Sequence, residues 1–327
     1  MRTIVRAALA AMLTGAFALP AAAKEKVTFA YLLDPAYEAA LWPLRHGKVK
    51  SDLVEVDTTA LAIPALLQAT GAKTYDVIMT AAVGVPGALD RGLQLRIMAT
   101  GLRYHQNGDG ADIWVLADSP IKTVADLKGK TIGAYSLRST GITLVRIALW
   151  KVHGLNVALD GGDMKWVEVP APQLPAALSS KNVDAATLIH SQAYKAAQGK
   201  DYRSLVRTAP AVNETFGGRA VSAVHVGYPE KLAQRPAAFK EFARMLRASI
   251  EYTLENQNEV FNAAAKETNV DADFFKTWFN TFSEAPMAIS EGDLKAIQKV
   301  WEVGQEMGLV KNVPKVGDLV WEHAIRE

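Results

Sequence analysis

Short apolar runs alternate along the chain with segments whose apolar residues have helical spacing. This alternation predicts strands followed by helices. Short apolar runs typical of strands lie at residues 27–33, 53–57, 75–79, 95–101, 112–117, 132–135, 164–169, 185–189 and 205–208. Apolar residues at helical spacing lie between them, at residues 36–45, 63–70, 124–129, 142–149, 173–180 and 191–197, with a further helix reaching Arg91. Such alternation favours mostly parallel sheets covered by helices.

Local signals mark several helix boundaries. Asp34 followed by Pro35 provides the capping residue and the first residue of a helix, which Pro43 is expected to bend. Gly71 and Gly92 stand where the next two helices are expected to end. After residue 229 the sequence is rich in helical pattern, and the aromatic residues at helical spacing within 236–254 are interpreted as core.

A weak internal repeat predicts two similar halves. Residues 64–79 and 175–187 each combine a short helix, a polar turn, an aspartate and an apolar strand. Polar residues 103–110 interrupt the alternation and are expected to precede a crossing between lobes. The prediction is an α/β fold of two lobes, each with a mostly parallel sheet flanked by helices, with a ligand cleft between them: lobe I at residues 24–110 and 222–327, and lobe II at residues 111–221.

The loops after two corresponding strands supply the first candidate ligand residues. Thr80, Ala81 and Ala82 follow one strand and are expected to offer backbone N–H groups to a ligand oxygen. His190 and Gln192 follow the equivalent strand of the second half, and their polar tips suit an oxyanion or an amide. Both loops are expected at carboxyl ends of parallel strands, where open sheets bind ligands.

A strand–turn–helix pattern at residues 130–146 predicts an anion site. Its turn contains Ser136, Arg138, Ser139 and Thr140, just before the helical positions. Backbone N–H groups at a helix start have no intrahelical acceptor and favour negative charge, and a guanidinium would add a charged fork. The alternative is an ordinary helix cap beside a surface arginine.

Two further residues are candidates on position alone. Tyr37 lies near the expected cleft, although a tyrosine in this setting more often packs in the core. Arg219 follows Gly217 and Gly218 near the expected return crossing, where it would serve either the hinge or the ligand. The sequence leaves two roles open for each residue: core packing or ligand contact for Tyr37, and hinge or ligand contact for Arg219.

The N-terminus predicts a secretory signal peptide at residues 1–23. Arg2 and Arg6 precede an apolar run at 7–19 that is too short to span a bilayer, and three alanines end at Ala23, the expected cleavage site. An uncleaved anchor is the alternative. The chain has no cysteine, which excludes a lipid-anchored lipoprotein and disulfides. A periplasmic protein is expected.

Charge and motifs disfavour several function classes. Lys and Arg number 36 against 34 Asp and Glu, and loss of Arg2 and Arg6 with the signal would leave 34 of each, which disfavours nucleic-acid binding. The sequence has no G-x-S-x-G, P-loop, G-x-G-x-x-G or H-E-x-x-H motif. No catalytic residue, metal site or cofactor is therefore expected.

One segment resembles a known family. Residues 119–133, with Asp126-Leu-Lys-Gly-Lys130 at their centre, resemble a segment of periplasmic ABC-transporter solute-binding proteins of the nitrate, sulfonate and taurine type. The turns at residues 73–77 and 182–185 resemble two further family segments, in the same order. Residues 36–46 lack the family's usual glycine-containing run in the first helix, and Arg138 and His190 match no single known ligand chemistry.

The resemblance implies a function and partners. It implies a protein that binds a small organic anion between two lobes, and a sulfonate or a carboxylate is expected. The tyrosines near the expected cleft leave room for an aromatic acid, and a monomer is expected. Lobe closure would then present the complex to an ABC permease in the inner membrane. The alternative is an enzyme on the same bilobal fold that resembles thiamine-pyrimidine-precursor synthases. The absence of cysteine counts against that enzyme class.

Overall fold

In the computed structural model, residues 23–108 and 110–327 are described, and they form two sheets with helices on their faces. The strands are β1 (Glu25–Leu32), β2 (Val54–Leu61), β3 (Val77–Ala81), β4 (Arg96–Tyr104), β5 (Asp112–Leu116), β6 (Thr131–Ala134), β7 (Lys165–Glu168), β8 (Ala185–Leu188), β9 (Tyr202–Val206), β10 (Val221–Gly227) and β11 (Ser283–Glu284). The predicted signal peptide lies outside the described residues, apart from Ala23.

Thirteen α-helices occur in the described part of the chain. They are α1 (Pro35–Ala40), α2 (Trp42–Arg45), α3 (Ile63–Ala72), α4 (Gly84–Asp90), α5 (Thr140–Lys151), α6 (Leu174–Ser179), α7 (His190–Gln198), α8 (Thr208–Phe216), α9 (Pro229–Gln234), α10 (Pro236–Glu255), α11 (Gln257–Thr268), α12 (Ala272–Thr277) and α13 (Glu291–Glu306). A π-helical turn, Trp278–Phe282, follows α12. None of these helices is long and apolar enough to cross a membrane.

The two sheets confirm the predicted α/β fold and show where the chain reverses. The first sheet has the order β11-β4-β10-β3-β1-β2, and β10 runs antiparallel to both of its neighbours. The second has the order β7-β6-β8-β5-β9, and β5 is likewise antiparallel to both neighbours. We call these sheets with their helices the first and second lobes. Each reversed strand is the first that the chain forms after crossing between lobes, so both sheets are mixed.

Local chemistry explains the start of the first lobe. Asp34 caps α1, because its Oδ1 accepts a hydrogen bond from Ala36 N at 2.9 Å. The helix stops at Leu41 and restarts as α2, which contains Pro43, so the predicted bend is confirmed. The prediction that α3 ends at Gly71 is wrong: α3 continues to Ala72, and Lys73 takes the left-handed conformation with φ 54°.

The predicted aromatic core face on α10 is confirmed. Phe239, Phe242 and Ile250 are buried in the first lobe, and the ring of Phe242 lies 5.4 Å from that of Phe29 on β1. Ser249 Oγ also donates to the carbonyl of Ala40 at 2.8 Å, which fixes α10 against α1. This packing anchors β1 and α1, which flank the β1–α1 connection, to α10.

Helix α5 connects the two lobes through its side chains. Leu144, Ile147 and Ala148 pack into the core of the first lobe. Residues on the opposite side of the same helix, among them Val145 and Leu149, pack into the core of the second lobe. Apolar side chains thus surround α5 from both sides, and its N-terminus is positioned between the lobes.

Asn213 on α8 holds the two chain crossings together. Its Nδ2 donates to the carbonyls of His105 and Gln106 at 3.1 and 2.9 Å, just after β4. Its Oδ1 accepts from Ala220 N at 2.7 Å, just before β10. Because Asn213 is buried, these bonds are shielded from water and fix the separation of the crossings.

Candidate functional site

A cleft between the lobes contains two adjoining spaces. The inner one, which we call the inner chamber, has a volume of about 60 Å³ and lies against the end of β3 and the starts of β10 and α5. The other, which we call the outer groove, has a volume of about 720 Å³ and opens between the β1–α1 and β7–α6 connections. Only the outer groove has the 300–1,000 Å³ typical of sites for small organic ligands.

The two predicted strand-end loops meet at the inner chamber. Thr80 and Ala81 at the end of β3 line it from the first lobe, and His190 after β8 lines it from the second. Ala82 does not line it: its N–H donates to the carbonyl of Ser222 at 3.1 Å and its carbonyl accepts from the Trp301 indole at 2.8 Å. The N–H of Ala82 is therefore committed to the fold.

The start of α5 closes the inner chamber from the second lobe. Ser139 caps the helix, since its Oγ accepts from Ile142 N at 3.2 Å and donates to the carbonyl of buried Ser136 at 2.8 Å. Thr140 Oγ1 accepts a hydrogen bond from Val83 N of the first lobe at 3.1 Å. Ser139 and Thr140 line the chamber, whereas Ser136 does not. The N–H groups in this first helical turn have no intrahelical acceptor.

Two buried tyrosines that sequence reasoning did not select also line the inner chamber. The hydroxyl of Tyr135 lies directly over Gly141, where a Cβ atom would clash with it. The ring of Tyr104 packs in the same way against Gly110. Burial raises the pKa of Tyr135 to about 12 and raises the pKa of Tyr104 as well. Both hydroxyls are therefore protonated at neutral pH and add hydrogen-bonding capacity without charge.

His190 is fixed by contacts with the first lobe. Its Nδ1 donates to Asp34 Oδ2 at 2.7 Å, while the other carboxylate oxygen of Asp34 caps α1. The His190 ring also meets the edge of buried Trp278, with the ring centroids 5.8 Å apart. The backbone of His190 is left-handed, with φ 46°. Trp278 belongs to the π-helical turn, an element that often occurs at functional sites.

Comparison with known proteins assigns the family. The family model described as "NMT1/THI5 like" matches residues 62–260, which include β3, α5 and His190. The chain belongs to the NMT1/THI5-like family.

Relatives of this NMT1/THI5-like protein include binding proteins. A "putative binding protein" of Brucella abortus (strain 2308) is 26% identical over 239 residues, which cover 72% of this chain and 67% of the relative. The solved alkanesulfonate-binding protein SsuA from Xanthomonas axonopodis pv. citri, bound to MOPS, has a TM-score of 0.70 at 17% identity and covers 94% of this chain and 100% of its own. The resemblance and bilobal fold predicted from the sequence are confirmed.

The same fold also occurs in an enzyme. A solved desulfurization enzyme, DszB, has a TM-score of 0.60 at 16% identity and covers 92% of this chain and 98% of its own. At this level of identity the likeness concerns the fold alone, and chemistry has to be argued from the site of this NMT1/THI5-like chain.

The other predicted ligand residues lie outside the inner chamber. Tyr37 is fully buried among core residues and its hydroxyl donates to the carbonyl of Gly101, so it packs in the first lobe. Gln192 lines the outer groove, where its Nε2 donates to the carbonyl of Ala171. Arg138 is exposed and lines neither space.

Arg219 lies in a network of charges beside the chain crossing. It pairs with Glu284, which also accepts from Arg103 Nε at 2.9 Å and lies 3.1 Å from His105 Nδ1. Burial disfavours the charged carboxylate, but hydrogen bonds from His105 and Arg103 outweigh it and lower the pKa of Glu284 to about 2. Arg103 also pairs with buried Asp293 at 3.1 Å. This placement supports a structural role for Arg219 at the crossing.

Charge is scarce around the inner chamber of the NMT1/THI5-like protein. Among the described residues, no lysine or arginine lines it, and His190 is its one side chain able to carry a positive charge. The outer groove is lined by Asp34, Glu168 and Lys195. Within residues 23–108 and 110–327, no cluster of three histidine or acidic side chains is arranged to hold a metal ion.

Proposed function

We propose that this protein is the solute-binding component of an ABC importer and binds a small organic acid between its lobes. The observation that carries the proposal is the convergence of Thr80 and Ala81 from one lobe with His190 and the start of α5 from the other. A ligand held by both lobes stabilises the closed arrangement, because it contacts groups that are together only when the lobes meet.

The chemistry of the inner chamber favours a sulfonate or carboxylate head. In the first turn of α5, the N–H groups of Thr140 and Gly141 have no intrahelical acceptor, and the positive end of the helix dipole lies beside them. Hydroxyls of Thr80, Tyr104, Tyr135 and Thr140 supply further hydrogen bonds. Several neutral donors can hold an oxyanion without a guanidinium. The alkanesulfonate-binding protein of the same fold supports a sulfonate, and aromatic acids are included because the outer groove has room for a ring.

A calorimetric and thermal-shift panel tests this function. Alkanesulfonates, aliphatic and aromatic carboxylates and nitrate would each be added to the purified protein, and one class should raise the melting temperature, since a ligand that binds only the folded state stabilises it. Small-angle scattering of that complex should show compaction. Ala81→Leu, which fills the inner chamber, should abolish binding, while Ala176→Leu, at an exposed position that lines neither space, is the matched control. Failure of every acid to bind would refute the proposal.

Export and delivery to a permease belong to the same proposal. The predicted signal peptide, residues 1–23, would place the mature protein in the periplasm with Lys24 as its first residue. We expect the mature chain to act as a monomer and to engage a permease in the inner membrane. Mass spectrometry of the periplasmic fraction should find Lys24 at the N-terminus; retention of Met1 would contradict export by cleavage.

A second candidate function is an enzyme on the same fold. The specific observation that favours it is the hydrogen-bonded pair of Asp34 and His190 beside the hydroxyls of the chamber, because a carboxylate-oriented histidine is a common general base. The two functions differ in the fate of the ligand. A binding protein should release it unchanged after prolonged incubation and denaturation, whereas chromatographic detection of a product would establish the enzyme.

A further inference from the structure

The hydrogen bond between His190 and Asp34 decides which nitrogen of the imidazole is left for a ligand. Nδ1 donates to Asp34 Oδ2 at 2.7 Å, and Asp34 Oδ1 accepts from Ala36 N at 2.9 Å, so both carboxylate oxygens act as acceptors. Because Nδ1 is engaged, Nε2 is the ring nitrogen that His190 can offer to the inner chamber that it lines. A neutral ring then offers only a lone pair at Nε2, whereas a protonated ring offers an N–H donor.

We propose that the organic anion is bound together with one proton, which His190 takes up. Nε2–H then donates to the acid head in the inner chamber while Nδ1–H continues to donate to Asp34. The inference rests on the proposed function and adds the charge state of the occupied site. The proton comes from water, the anion itself is unchanged, and its release returns the proton to water.

The balance of charge in the closed cleft supports this role. The donors of the inner chamber are neutral, and among the described residues no lysine or arginine lines it. Asp34 and His190 are only 8% and 6% exposed, so water screens the Asp34 charge poorly. An anion beside a neutral His190 would therefore face both the lone pair of Nε2 and the negative charge behind the ring. One added proton replaces this repulsion by a charge-assisted hydrogen bond.

Asp34 is the one charged side chain in contact with the His190 ring within the described structure. The remaining titratable groups of the inner chamber are the hydroxyls of Tyr104 and Tyr135, which burial keeps protonated. The π-helical turn against the ring contains no titratable residue. Charged side chains on the neighbouring elements either form ion pairs of their own or line the outer groove: Glu38 with Arg45, Asp273 with Lys276, and Glu168 and Lys195.

Uptake of the proton accompanies closure of the lobes and not entry of the solute. In the proposed function the solute enters an open cleft, in which Asp34 and His190 are apart and the imidazole faces water. Closure places the ring between Asp34 on one side and the acid head on the other. Two negative partners favour the imidazolium, so the closed complex binds more protons than the open protein. Affinity should therefore rise as pH falls, by up to about tenfold per pH unit for one proton.

Titration of the ligand-free protein tests the proton site without a known solute. Nuclear magnetic resonance of ¹⁵N-labelled histidine would follow the His190 ring from pH 5.5 to pH 8.5, with its signals assigned by their loss in His190→Asn. Asparagine tolerates the left-handed backbone of residue 190 and keeps a donor for Asp34, but it has no nitrogen that titrates. The ring should change from charged to neutral within this range. A ring that keeps one charge state throughout would overturn the proposal.

Calorimetry counts the proton in the complex. Ethanesulfonate, hexanoate and benzoate remain ionised from pH 6.5 to pH 8.5, so a proton taken up on binding has to go to the protein. Each would be titrated in Tris and in triethanolamine, two buffers of different protonation enthalpy that contain no sulfonate or carboxylate. The difference in heat between the buffers gives the number of protons. Uptake should approach one proton where the free ring is neutral, and zero uptake at both pH 7 and pH 8.5 would overturn the proposal.

The His190→Asn variant separates a proton site from a merely structural contact. It should bind without proton uptake, and its affinity should no longer depend on pH between 6.5 and 8.5. Loss of a contact that only holds the lobes together would weaken binding equally at every pH. His153→Asn makes the same change at an exposed position and is the matched control, with the uptake and pH dependence of the wild type. Equal pH dependence in the wild type and in His190→Asn would contradict the assignment to His190.

Failure of this inference is distinguishable from failure of the proposed function. If one of the three anions binds and compacts the protein without taking up a proton, the inference is refuted and the binding function stands. If none of them binds but the His190 ring titrates in the free protein, the proton site stands and the proposed ligand class falls. If none binds and the ring keeps one charge state, both are refuted.

Discussion

Asp34 and His190 lie 156 residues apart in the chain and form a buried hydrogen bond of 2.7 Å across the cleft. Asp34 belongs to the first lobe, and His190 starts the first helix after β8 in the second. A carboxylate–imidazole bond with little access to water is stronger than an exposed pair, because the local dielectric is low. The bond therefore stabilises the closed arrangement of the lobes.

Loss of this bond should weaken ligand binding. Asp34→Asn keeps a side-chain oxygen to cap α1 but removes the negative charge that faces His190. A hydrogen bond to a charged group contributes about 1.5–3 kcal/mol, so we expect affinity to fall by roughly ten- to a hundredfold. Calorimetry with the best ligand of the screening panel measures the change.

Lys151→Gln is the control for that substitution. Lys151 and Glu306 also pair between α5 and α13, at 2.5 Å, but their side chains are 30% and 50% exposed. Exposed pairs contribute about 0–1 kcal/mol, so Lys151→Gln should change affinity by less than about fivefold. Equal losses in both variants would show that the buried pair has no special role in closure.

Thr140→Val should destabilise the contact between the lobes. Valine keeps the shape of threonine but leaves the buried N–H of Val83 without its acceptor, at a cost of about 1–3 kcal/mol. Thr140→Ser retains the hydroxyl and should behave nearly as the wild type. Urea unfolding measures the difference, and indistinguishable stabilities of the valine and serine variants would contradict it.

Arg138→Ala should leave ligand affinity within about twofold, since the side chain is exposed outside both spaces of the cleft and solvent screens its charge. The sequence pattern instead predicts a direct guanidinium contact. A loss of tenfold or more would support that contact and would mean that Arg138 moves into the cleft with the ligand. Calorimetry at low and physiological salt separates contact from long-range attraction, because only the latter is screened.

Stability should fall in acid because of His225. This fully buried histidine has no hydrogen-bond partner at either ring nitrogen within the described structure, and burial lowers its pKa to about 3 from an ordinary 6.5. Between these values the unfolded chain binds a proton that the folded chain does not. The free energy of unfolding should therefore decrease as pH falls below 6.5, by up to about 1.4 kcal/mol per pH unit.

His225→Leu identifies this contribution by the slope of stability against pH. In urea titrations between pH 6 and pH 4, the free energy of unfolding of the leucine variant should depend less steeply on pH. The difference from the wild type should be up to about 1.4 kcal/mol per pH unit, which corresponds to one proton. His153→Gln, at an exposed position, is the control and should keep the wild-type slope. An unchanged slope in the leucine variant would assign the acid sensitivity to other groups.

Sequence periodicity predicts which loops and which helix start form the candidate site. The internal repeat places the loops after β3 and β8 at carboxyl ends of parallel strands in two similar lobes, where open sheets bind ligands. In the structure Thr80, Ala81 and His190 from these loops line one chamber. The hydroxyl residues before α5 were also placed at a helix start, which Ser139 caps. These inferences depend only on local pattern and on general rules of chain connection.

Local sequence patterns do not determine where a side chain points or which distant segments contact each other. The pattern gives residue type at Arg138 but not its rotamer, and Arg138 turned out to be exposed. Tyr104 and Tyr135 reach the chamber because Gly110 and Gly141 leave room for their rings, a match that no single segment shows. The sequence analysis does not include β10, although the valine-rich segment Val221–Gly227 is typical of a buried strand.

Asn213 sets how far each part of the cleft moves. Its three hydrogen bonds join both chain crossings, so we expect a rotation of one lobe relative to the other to have its axis close to this side chain. Displacement in a rotation grows with distance from the axis. A few degrees at Asn213 therefore separate Leu33 and Pro170 at the rim far more than they disturb the residues next to the crossings. In the proposed binding function the solute would therefore be exchanged at the rim while the chain around Asn213 stays packed, and opening would not require unfolding of either lobe.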